Sequence, residues 1–512
     1  MISRRPRVLL AVALLCIITF LTFRHHDALA DFGPDYFSFG SSSASATMVL
    51  PATGKLHPEP HKLPNPDAFR SHFAAAISQK GLTMAEARST CNWPKDTYVN
   101  FQFPADKEWV VNPRSDEEVA QRRKEWQDYV RSGMIPWDRV KHLFKGRGIV
   151  VLAGNHDTVM RLGVILRRLV QLNSTIPVEV HYWDDEMNDE SKANLSSYYP
   201  YVTFNDLSKP HNILQPQKNH FLINFQLKTA ALINTRFAEP LLLDSDNVPV
   251  LDPSILYDSN VYKEYGTVFW PDIARTWPQN PAWAIFNVHC RMDEYEQESG
   301  QMLVDKRRFW YHLQLSAWFN NVHGDYYDQI LLGDKDLFRY AWHALKTPYG
   351  KPRKWLTSVG VENDGFYCGH SFAQHHPDDH RVAFVHGGLT KIAAPEVVIW
   401  NREQRGGYYR HYKRATTDED PSVSVHVQII FDPADYKPNH TELFNVAMCT
   451  QMKEIPVRPL DEILPNWEKT MEELDMFWYL RRFEEKLKAK QEEKAKEAKE
   501  KAEQEKNDDK KE

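Results

Sequence analysis

The sequence predicts an α/β fold built around a parallel sheet. Residues 148–153 form a short, continuous apolar run, which is typical of a central strand buried on both faces. Apolar residues then recur at helical spacing from Val159 to Leu169, and a second strand follows at 177–183. Strand, helix and strand at this spacing indicate a βαβ unit. A further apolar run at 241–243 predicts another strand of the same sheet.

Length and composition allow a large domain and exclude one class of partner. The chain has 512 residues, of which 42% are hydrophobic and 12% aromatic, enough for a sizeable core. Its net charge of -6 lacks the basic excess of nucleic-acid-binding proteins, so we expect no nucleic-acid partner.

The N-terminus has the pattern of a membrane anchor. Residues 1–7 contain three arginines, residues 8–23 are apolar and uncharged, and Arg24 follows. The run is slightly short for a span of ~17–25 residues, and Ala28-Leu29-Ala30 resembles a cleavage site, so a cleaved signal peptide is the alternative. The flanking charges favour an uncleaved type II anchor with residues 1–7 in the cytosol. Both interpretations place the body of the chain in the secretory lumen, after a flexible stem at 24–66.

Glycosylation sequons and cysteines agree with a lumenal location. Sequons begin at Asn173, Asn194 and Asn439. Four cysteines lie outside the apolar run and allow three full pairings, among which the sequence does not choose; buried thiols are the alternative. These cysteines are Cys91, Cys290, Cys368 and Cys449.

Helical segments are predicted on both sides of the main domain. Residues 67–144 form a helical preface, in which Ser115 and Glu118 have the spacing of a capping box. Residues 466–512 form a charged helical tail. From Glu484 onward this tail is almost entirely Glu, Lys, Ala and Gln, which predicts a solvated helix.

The end of the first strand is a candidate nucleotide site. In open α/β sheets the nucleotide usually lies at the loop after this strand, which here begins at Ala153 and Gly154. The sequence has neither G-x-G-x-x-G nor a Walker lysine pattern, which argues against dinucleotide and P-loop proteins. A helix predicted at 225–237 carries Lys228, which is either a ligand for a phosphate or carboxylate or a solvated lysine.

The strand at 241–243 delivers two carboxylates, Asp244 and Asp246, to its C-terminal end. Two carboxylates in this position predict a divalent metal site, and an ordinary acidic turn is the alternative. Further motifs follow: a strand region at 266–272, Glu298-Ser299-Gly300-Gln301, and Gly333-Asp334-Lys335-Asp336, where either aspartate would also serve as a helix cap. A strand at 381–385 ends at His386, with Lys391 beyond it. Tryptophans at 270–283 offer flat faces for sugar rings or pack in the core.

In this order, the motifs resemble those of the fungal Golgi α-mannosyltransferases that extend mannan outer chains. That family has α-1,2- and α-1,3-transferring members. The resemblance covers roughly half of the chain, and its combined order is more specific than any single motif. It is carried by residues 148–154, 243–247, 266–272, 298–301, 333–336, His386 and Lys391. The histidine-containing loop after Gly154 and the charged tail depart from the family pattern.

The resemblance implies a GT-A-like fold over residues 145–465, a mixed sheet flanked by helices with a nucleotide half and an acceptor half. It implies that Asp244 and Asp246 hold Mn²⁺ on the diphosphate of GDP-mannose, with His386 as third ligand. Lys391 and Lys228 would stabilise the leaving group. The candidate catalytic carboxylates for a retaining transfer are Glu298, Asp334 and Asp336, with same-face attack as the alternative.

The function that this resemblance implies is that of a type II Golgi membrane enzyme. It would be a metal-dependent α-mannosyltransferase that acts on a mannosylated glycan, forms an α-1,2 linkage and takes part in a Golgi enzyme complex. Two other classes fit the same residues. A lumenal glycoside hydrolase would release mannose without nucleotide sugar, and a non-catalytic glycan-binding protein would not turn over.

Overall fold

The protein is described from a computed structural model. The residues described are 47–91, 114–218, 224–291, 293–331, 333–363, 365–388, 395, 398–399, 402–403, 406–414, 427–432, 447–452 and 455–508. The predicted cytosolic tail and anchor, the first part of the stem, Lys391 and the sequon at Asn439 lie outside these residues. Among the helices within them, none has the length and apolar character needed to cross a bilayer.

The strands are β1 (Arg147–Leu152), β2 (Val178–Tyr182), β3 (Val202–Asp206), β4 (Glu239–Leu243), β5 (Asn247–Pro249), β6 (Thr267–Pro271), β7 (Gln297–Val304), β8 (Thr357–Asn363), β9 (Phe366–His375), β10 (Val382–His386), β11 (His411–Lys413), β12 (Val427–Asp432), β13 (Ala447–Met452) and β14 (Arg458–Pro459). The α-helices are α1 (Arg70–Ile77), α2 (Met84–Arg88), α3 (Asp116–Ser132), α4 (Trp137–Val140), α5 (His156–Gln171), α6 (Asp189–Tyr198), α7 (Gln226–Asn234), α8 (Asn260–Tyr265), α9 (Ala282–Ile285), α10 (Lys306–Asn321), α11 (Gly324–Tyr327), α12 (Lys335–Ala344), α13 (Trp467–Glu473) and α14 (Trp478–Asp508).

The main sheet has the strand order β3-β2-β1-β4-β7-β6. Strands β1 to β4 are parallel, whereas β7 runs antiparallel to both β4 and β6. Alternate residues of β1 face two cores: Val150 packs in the cluster that contains α7 and α10, and Ile149 packs with residues of α5. Burial on both faces explains the continuous apolar runs. The predicted βαβ unit and the mixed sheet flanked by helices are confirmed.

The chain order reverses between β1 and β4, because β2 and β3 extend the sheet on one side of β1 and β4 joins it on the other. Ligands of open α/β sheets bind beyond the carboxyl ends of strands at such a switch point. Asp244 follows β4 at this edge. The predicted nucleotide loop after β1 lies at the same edge.

A second sheet carries His386 to that edge. Strand β10 pairs antiparallel with β9 and with the short strand β5. In the β10–β5 register, His386 is opposite Asn247, and Val385 is opposite Val248. The residue that follows Asp246 therefore pairs directly with the strand-end histidine.

The described residues of the predicted preface, 67–91 and 114–144, are largely helical and pack on the main domain. Trp126 of α3 is fully buried, and its indole N–H donates to the carbonyl of Ile285 at 2.9 Å. The cysteine pairing that the sequence left open is Cys91 with Cys290 and Cys368 with Cys449. The first disulfide joins the preface to the catalytic domain.

Packing extends beyond two of the predicted boundaries. The end of the predicted flexible stem is ordered against the preface: Met48 and Leu50 are buried, and the Met48 amide donates to the Met134 carbonyl at 2.8 Å. A short extended segment with two apolar residues has no helical period to reveal it. The predicted charged tail also begins inside the core, since burial continues to Leu480 before α14 becomes solvent-exposed.

Candidate functional site

Three candidate metal ligands meet at the carboxyl edge of the main sheet. Asp244 follows β4, Asp246 precedes β5, and His386 ends β10. One ligand atom from each residue lies within 4.8 Å of those of the other two. The β5–β10 pairing produces this group, because it fixes the histidine opposite the residue next to Asp246.

The distances within this group suit a bound cation. His386 Nε2 lies 3.7 Å from Asp246 Oδ1 and 3.8 Å from Asp244 Oδ2, too far for direct hydrogen bonds. Two ligand atoms that bind the same ion, each at about 2.1 Å from it, are separated from one another by distances of this order. Two carboxylates with one imidazole are a donor set that suits manganese. The residues therefore fit a divalent metal.

Gly300 of β7 provides the space for the His386 ring. A Cβ at this position would lie 2.3 Å from the ring Cε1 and 2.7–2.8 Å from both ring nitrogens. The Gly300 carbonyl accepts the amide proton of Asp244 at 2.8 Å and that of the Asn247 side chain at 2.8 Å. One glycine thus fixes the backbone of the Asp-x-Asp turn and admits the histidine.

Lys228 connects the metal group to a further carboxylate. Its Nζ lies 3.0 Å from Asp244 Oδ1, 3.5 Å from Asp334 Oδ2 and 3.1 Å from Ser299 Oγ. Burial alone would lower the pKa of Lys228, but the charges of Asp244 and Asp334 outweigh it and raise the pKa above its usual value. Of the two alternatives for Lys228, the structure shows a carboxylate-bound lysine, a partly buried cation between two acids.

Glu298 reaches the site through an irregularity in β7. The β6–β7 pairing passes from Phe269–Met302 to Trp270–Glu298, so residues 299–301 bulge out of register. Bulges re-aim side chains beside active sites. Glu298 Oε1 accepts from the Gly300 amide at 2.7 Å and lies 3.8 Å from His386 Nδ1. Burial raises the pKa of Glu298, and His386 opposes that shift.

The structure separates the two aspartates of the 333–336 motif. Asp334 precedes α12 but makes no side-chain cap, and its buried carboxylate faces Lys228. Asp336 is 1% exposed; it accepts from Arg339 Nε at 2.9 Å and from the Gln297 amide at 3.1 Å. Of these two candidates, Asp334 lies at the site and Asp336 lies in a buried ion network behind it.

The predicted nucleotide loop is placed as expected at the end of β1. Ala153 is buried, and the Gly154 amide donates to Thr158 Oγ1 at 3.1 Å. Asn155 caps α5, so the helix N-terminus begins at this loop, and such termini attract anionic groups. A Cβ at Gly154 would lie 2.6 Å from Glu186 Oε2.

Other candidates have simpler roles, and some site residues were not predicted. Trp270 and Trp283 are buried, and their indole N–H groups donate to backbone carbonyls. These two tryptophans therefore pack in the core, which is one of the two alternatives predicted for them. The sequence motifs contained Ser299 and Gly300 without a role for either, since only the bulge of β7 brings them to Lys228 and His386. The ion pair of Glu186 with Lys218 beside Gly154 carried no motif signal.

A parallel sheet with a switch point, an antiparallel strand beyond it and an Asp-x-Asp turn at the strand end agree with the GT-A-like fold that the resemblance implies. Residues 146–296 and 279–376 match the sequence family described as "Mannosyltransferase putative". The predicted resemblance is thus confirmed: this part of the chain is similar to that mannosyltransferase family.

Curated relatives agree with that assignment. The α-1,2-mannosyltransferase MNN24 of Candida albicans is 25% identical over 307 residues, which cover 49% of this chain and 41% of the relative. The α-1,2-mannosyltransferase MNN5 of Saccharomyces cerevisiae is 28% identical over 287 residues, which cover 44% and 47%. The chain spans about half the length of the curated relatives it matches.

Two solved structures show a weak likeness. The galactosyltransferase LgtC matches with a TM-score of 0.30 at 14% identity, over 40% of this chain and 74% of that one. The mannosyltransferase Ktr4p from S. cerevisiae matches with a TM-score of 0.27 at 12% identity, over 48% and 82%. The fold assignment rests on the sheet order and not on these scores.

Proposed function

We propose that this protein transfers mannose from GDP-mannose to a mannose-containing glycan, forming an α-1,2 linkage with retention of configuration. We also propose that it is a single-pass type II protein of the Golgi membrane with its catalytic domain in the lumen, as part of an enzyme complex. The curated relatives are named α-1,2-mannosyltransferases, which supports the sugar and the linkage.

The observation that carries the proposal is the convergence of Asp244, Asp246 and His386 at the switch point of the sheet. A nucleotide diphosphate bound in that crevice would lie between these ligands and the loop after β1. A bound manganese ion would supply Lewis-acid stabilisation of the charge that develops on the departing GDP.

The protein's own groups supply orientation and charge around that crevice. Lys228 Nζ donates to Asp244 Oδ2 at 3.1 Å and lies 3.0 Å from Oδ1, which fixes the carboxylate and adds a cation beside the leaving group. The N-terminus of α5 and the Gly154 loop favour phosphate oxygens. Glu298 and Asp334 are the carboxylates next to the metal group, and each is a candidate to face the anomeric carbon.

The test is a transfer assay with the full-length protein, a panel of nucleotide sugars and manno-oligosaccharides, with and without Mn²⁺. We expect Mn²⁺-dependent transfer from GDP-mannose and a loss of about 10²-fold or more in Asp244→Asn and Asp246→Asn. Asp138→Asn is the control, because that carboxylate is exposed and its ion pair among the described residues is with nearby Lys141. Full activity in either site variant would refute the metal assignment.

The same assay separates the other classes. Release of mannose without GDP-mannose would indicate a hydrolase, and glycan binding without turnover would indicate a binding protein. Linkage analysis of the product distinguishes α-1,2 from α-1,3 and shows whether configuration is retained. For the topology, the exposed Asn194 sequon should carry an endoglycosidase-sensitive glycan; protein from cells that lacks any such glycan would contradict the lumenal orientation.

A further inference from the structure

A second cavity lies away from the Asp-x-Asp group, between the preface and the catalytic domain. Its volume is about 550 Å³, which is the size of a small-ligand site. The lining comes from the segment after α1, the segment after α9 and the end of α12. The Cys91–Cys290 disulfide joins the same two parts of the chain. The charged and imidazole residues of the lining are Lys80, His289, Arg291, Glu294, His343, Lys346 and Lys351.

Lys346 is the most buried cation of this lining. Its Nζ donates to the carbonyl of Asn287, another lining residue. Among the described residues, no carboxylate forms an ion pair with it. Burial and the charge of Arg123 together lower the pKa of Lys346 to about 8. A buried ammonium that is held by a carbonyl has a hydrogen-bond partner but no neutralising charge.

Arg123 adds a second cation of the same kind beneath the cavity. It is 8% exposed, and its guanidinium donates to the carbonyls of Ala284, at 2.6 Å, and of Leu82. Leu82 also lines the cavity. In the described chain, Arg123 likewise forms no ion pair with a carboxylate. Burial lowers the pKa of Arg123, and the charges of Asp116 and Glu86 only partly oppose that shift.

Glu294, the one carboxylate in the described part of the lining, does not balance these charges. Glu294 Oε2 lies 2.8 Å from His343 Nε2 and 3.8 Å from Arg339 Nη1. Burial opposes ionisation of Glu294, but His343 and Arg339 outweigh it and lower the pKa to about 2. Glu294 is thus already paired, whereas the lining residues Lys346 and Lys351 form no ion pair with a carboxylate among the described residues and leave positive charge at the cavity.

We propose that this cavity binds a phosphate-bearing ligand, with Lys346 and Lys351 as its principal contacts. A phosphate dianion would neutralise two cations at once and accept charge-assisted hydrogen bonds, which are stronger than neutral ones. The carbonyls that now hold Lys346 and Arg123 cannot supply that charge. The ligand is either free phosphate or a phosphorylated sugar, and the two share this chemistry.

The alternative is a purely structural role. In that case Lys346 and Arg123 only satisfy the carbonyl groups at the end of α9, which a helix C-terminus leaves without internal partners. The two roles differ in one measurable way. A structural lysine contributes to stability but not to the binding of phosphate.

The test is isothermal titration of the full-length protein, in buffer freed of divalent metal, with inorganic phosphate, mannose 6-phosphate and mannose. We expect both phosphates to bind and mannose not to bind. Lys346→Met should weaken binding about tenfold or more, because it removes one charged hydrogen bond. Lys469→Met, at an exposed position on α13, should leave the affinity unchanged.

Two further variants keep the result interpretable. Lys351→Met changes an exposed side chain and should weaken binding several-fold even if Lys346→Met fails to fold. Lys228→Met should bind phosphate normally, although it removes the cation beside Asp244; loss of binding there, with retention in Lys351→Met, would place phosphate beside the Asp-x-Asp group and overturn the proposal. Absence of phosphate binding to the wild type would also overturn it. Equal affinity for both phosphates identifies free phosphate as the ligand, and tighter binding of mannose 6-phosphate identifies a sugar phosphate.

Discussion

Gly300→Ala is the sharpest perturbation of the candidate metal centre, because it changes no ligand. The new Cβ would lie 2.3 Å from His386 Cε1, whereas ordinary contact begins at 3.4 Å. The Gly300 backbone is held in place by its hydrogen bond from the Asp244 amide at the end of β4. The imidazole must therefore be the group that moves, by about 1 Å. Metal–ligand distances tolerate only about 0.2 Å. We expect His386 to be lost as a ligand while both aspartates stay in place.

We expect Mn²⁺ to bind about 10–100-fold more weakly, because changing a residue that orients a metal ligand typically lowers the metal affinity by about that factor. Activity should return at high Mn²⁺ concentration, because Asp244 and Asp246 are intact. The affinity is measured from the electron paramagnetic resonance signal of free Mn²⁺, a readout that does not depend on turnover.

Two comparisons make this test specific. Gly324→Ala is the matched control, because a Cβ there meets no atom within 4 Å. In the Gly300→Ala/His386→Ala double variant, the loss should be close to that of His386→Ala alone, since both changes remove one interaction. Wild-type Mn²⁺ affinity in Gly300→Ala, or full additivity in the double variant, would refute the reasoning.

Two further predictions concern buried charges. Arg339→Met leaves the buried Asp336 without its cation and should lower the free energy of unfolding by about 3–5 kcal/mol in urea titrations. The control, Arg381→Met, removes an exposed pair with Asp379 and should lower it by less than about 1 kcal/mol. Equal losses in the two variants would contradict the burial argument. Burial holds the pKa of Lys306 well below its usual value. Between that lowered pKa and about 10.5, the unfolded chain therefore binds more protons than the folded protein. The free energy of unfolding should rise with pH across this window, by at most about 1.4 kcal/mol per pH unit. Relative to the wild type, Lys306→Met should lose this rise in denaturation curves at several pH values, and an unchanged pH dependence would show that Lys306 does not titrate as inferred.

Much of the site's chemistry could be predicted locally. The apolar run ending at Asp244 predicted two carboxylates at a strand end, and the strand before His386 predicted a histidine at a strand end. Local pattern could not choose between Asp334 and Asp336, because both open the same helix. The choice depends on Lys228 of α7 and on Arg339, which only packing brings to one carboxylate each.

The role of Gly300 illustrates the same limit. A glycine in a strand is compatible with many local structures, and its function here depends on the bulge of β7 and on a ring from β10. The cysteine pairing was likewise open in the sequence. It is decided by which segments lie close together in the folded chain.

The sequence by itself determined the α/β class, the βαβ unit and the two aspartates at a strand end, because hydrophobic period and strand ends are encoded by neighbouring residues. The family resemblance already implied that His386 joins them. Only the tertiary structure decided that Lys228 lies between Asp244 and Asp334, and that Asp336 belongs to a buried network. These contacts depend on strand register and packing between segments far apart in the chain, which a linear pattern does not specify.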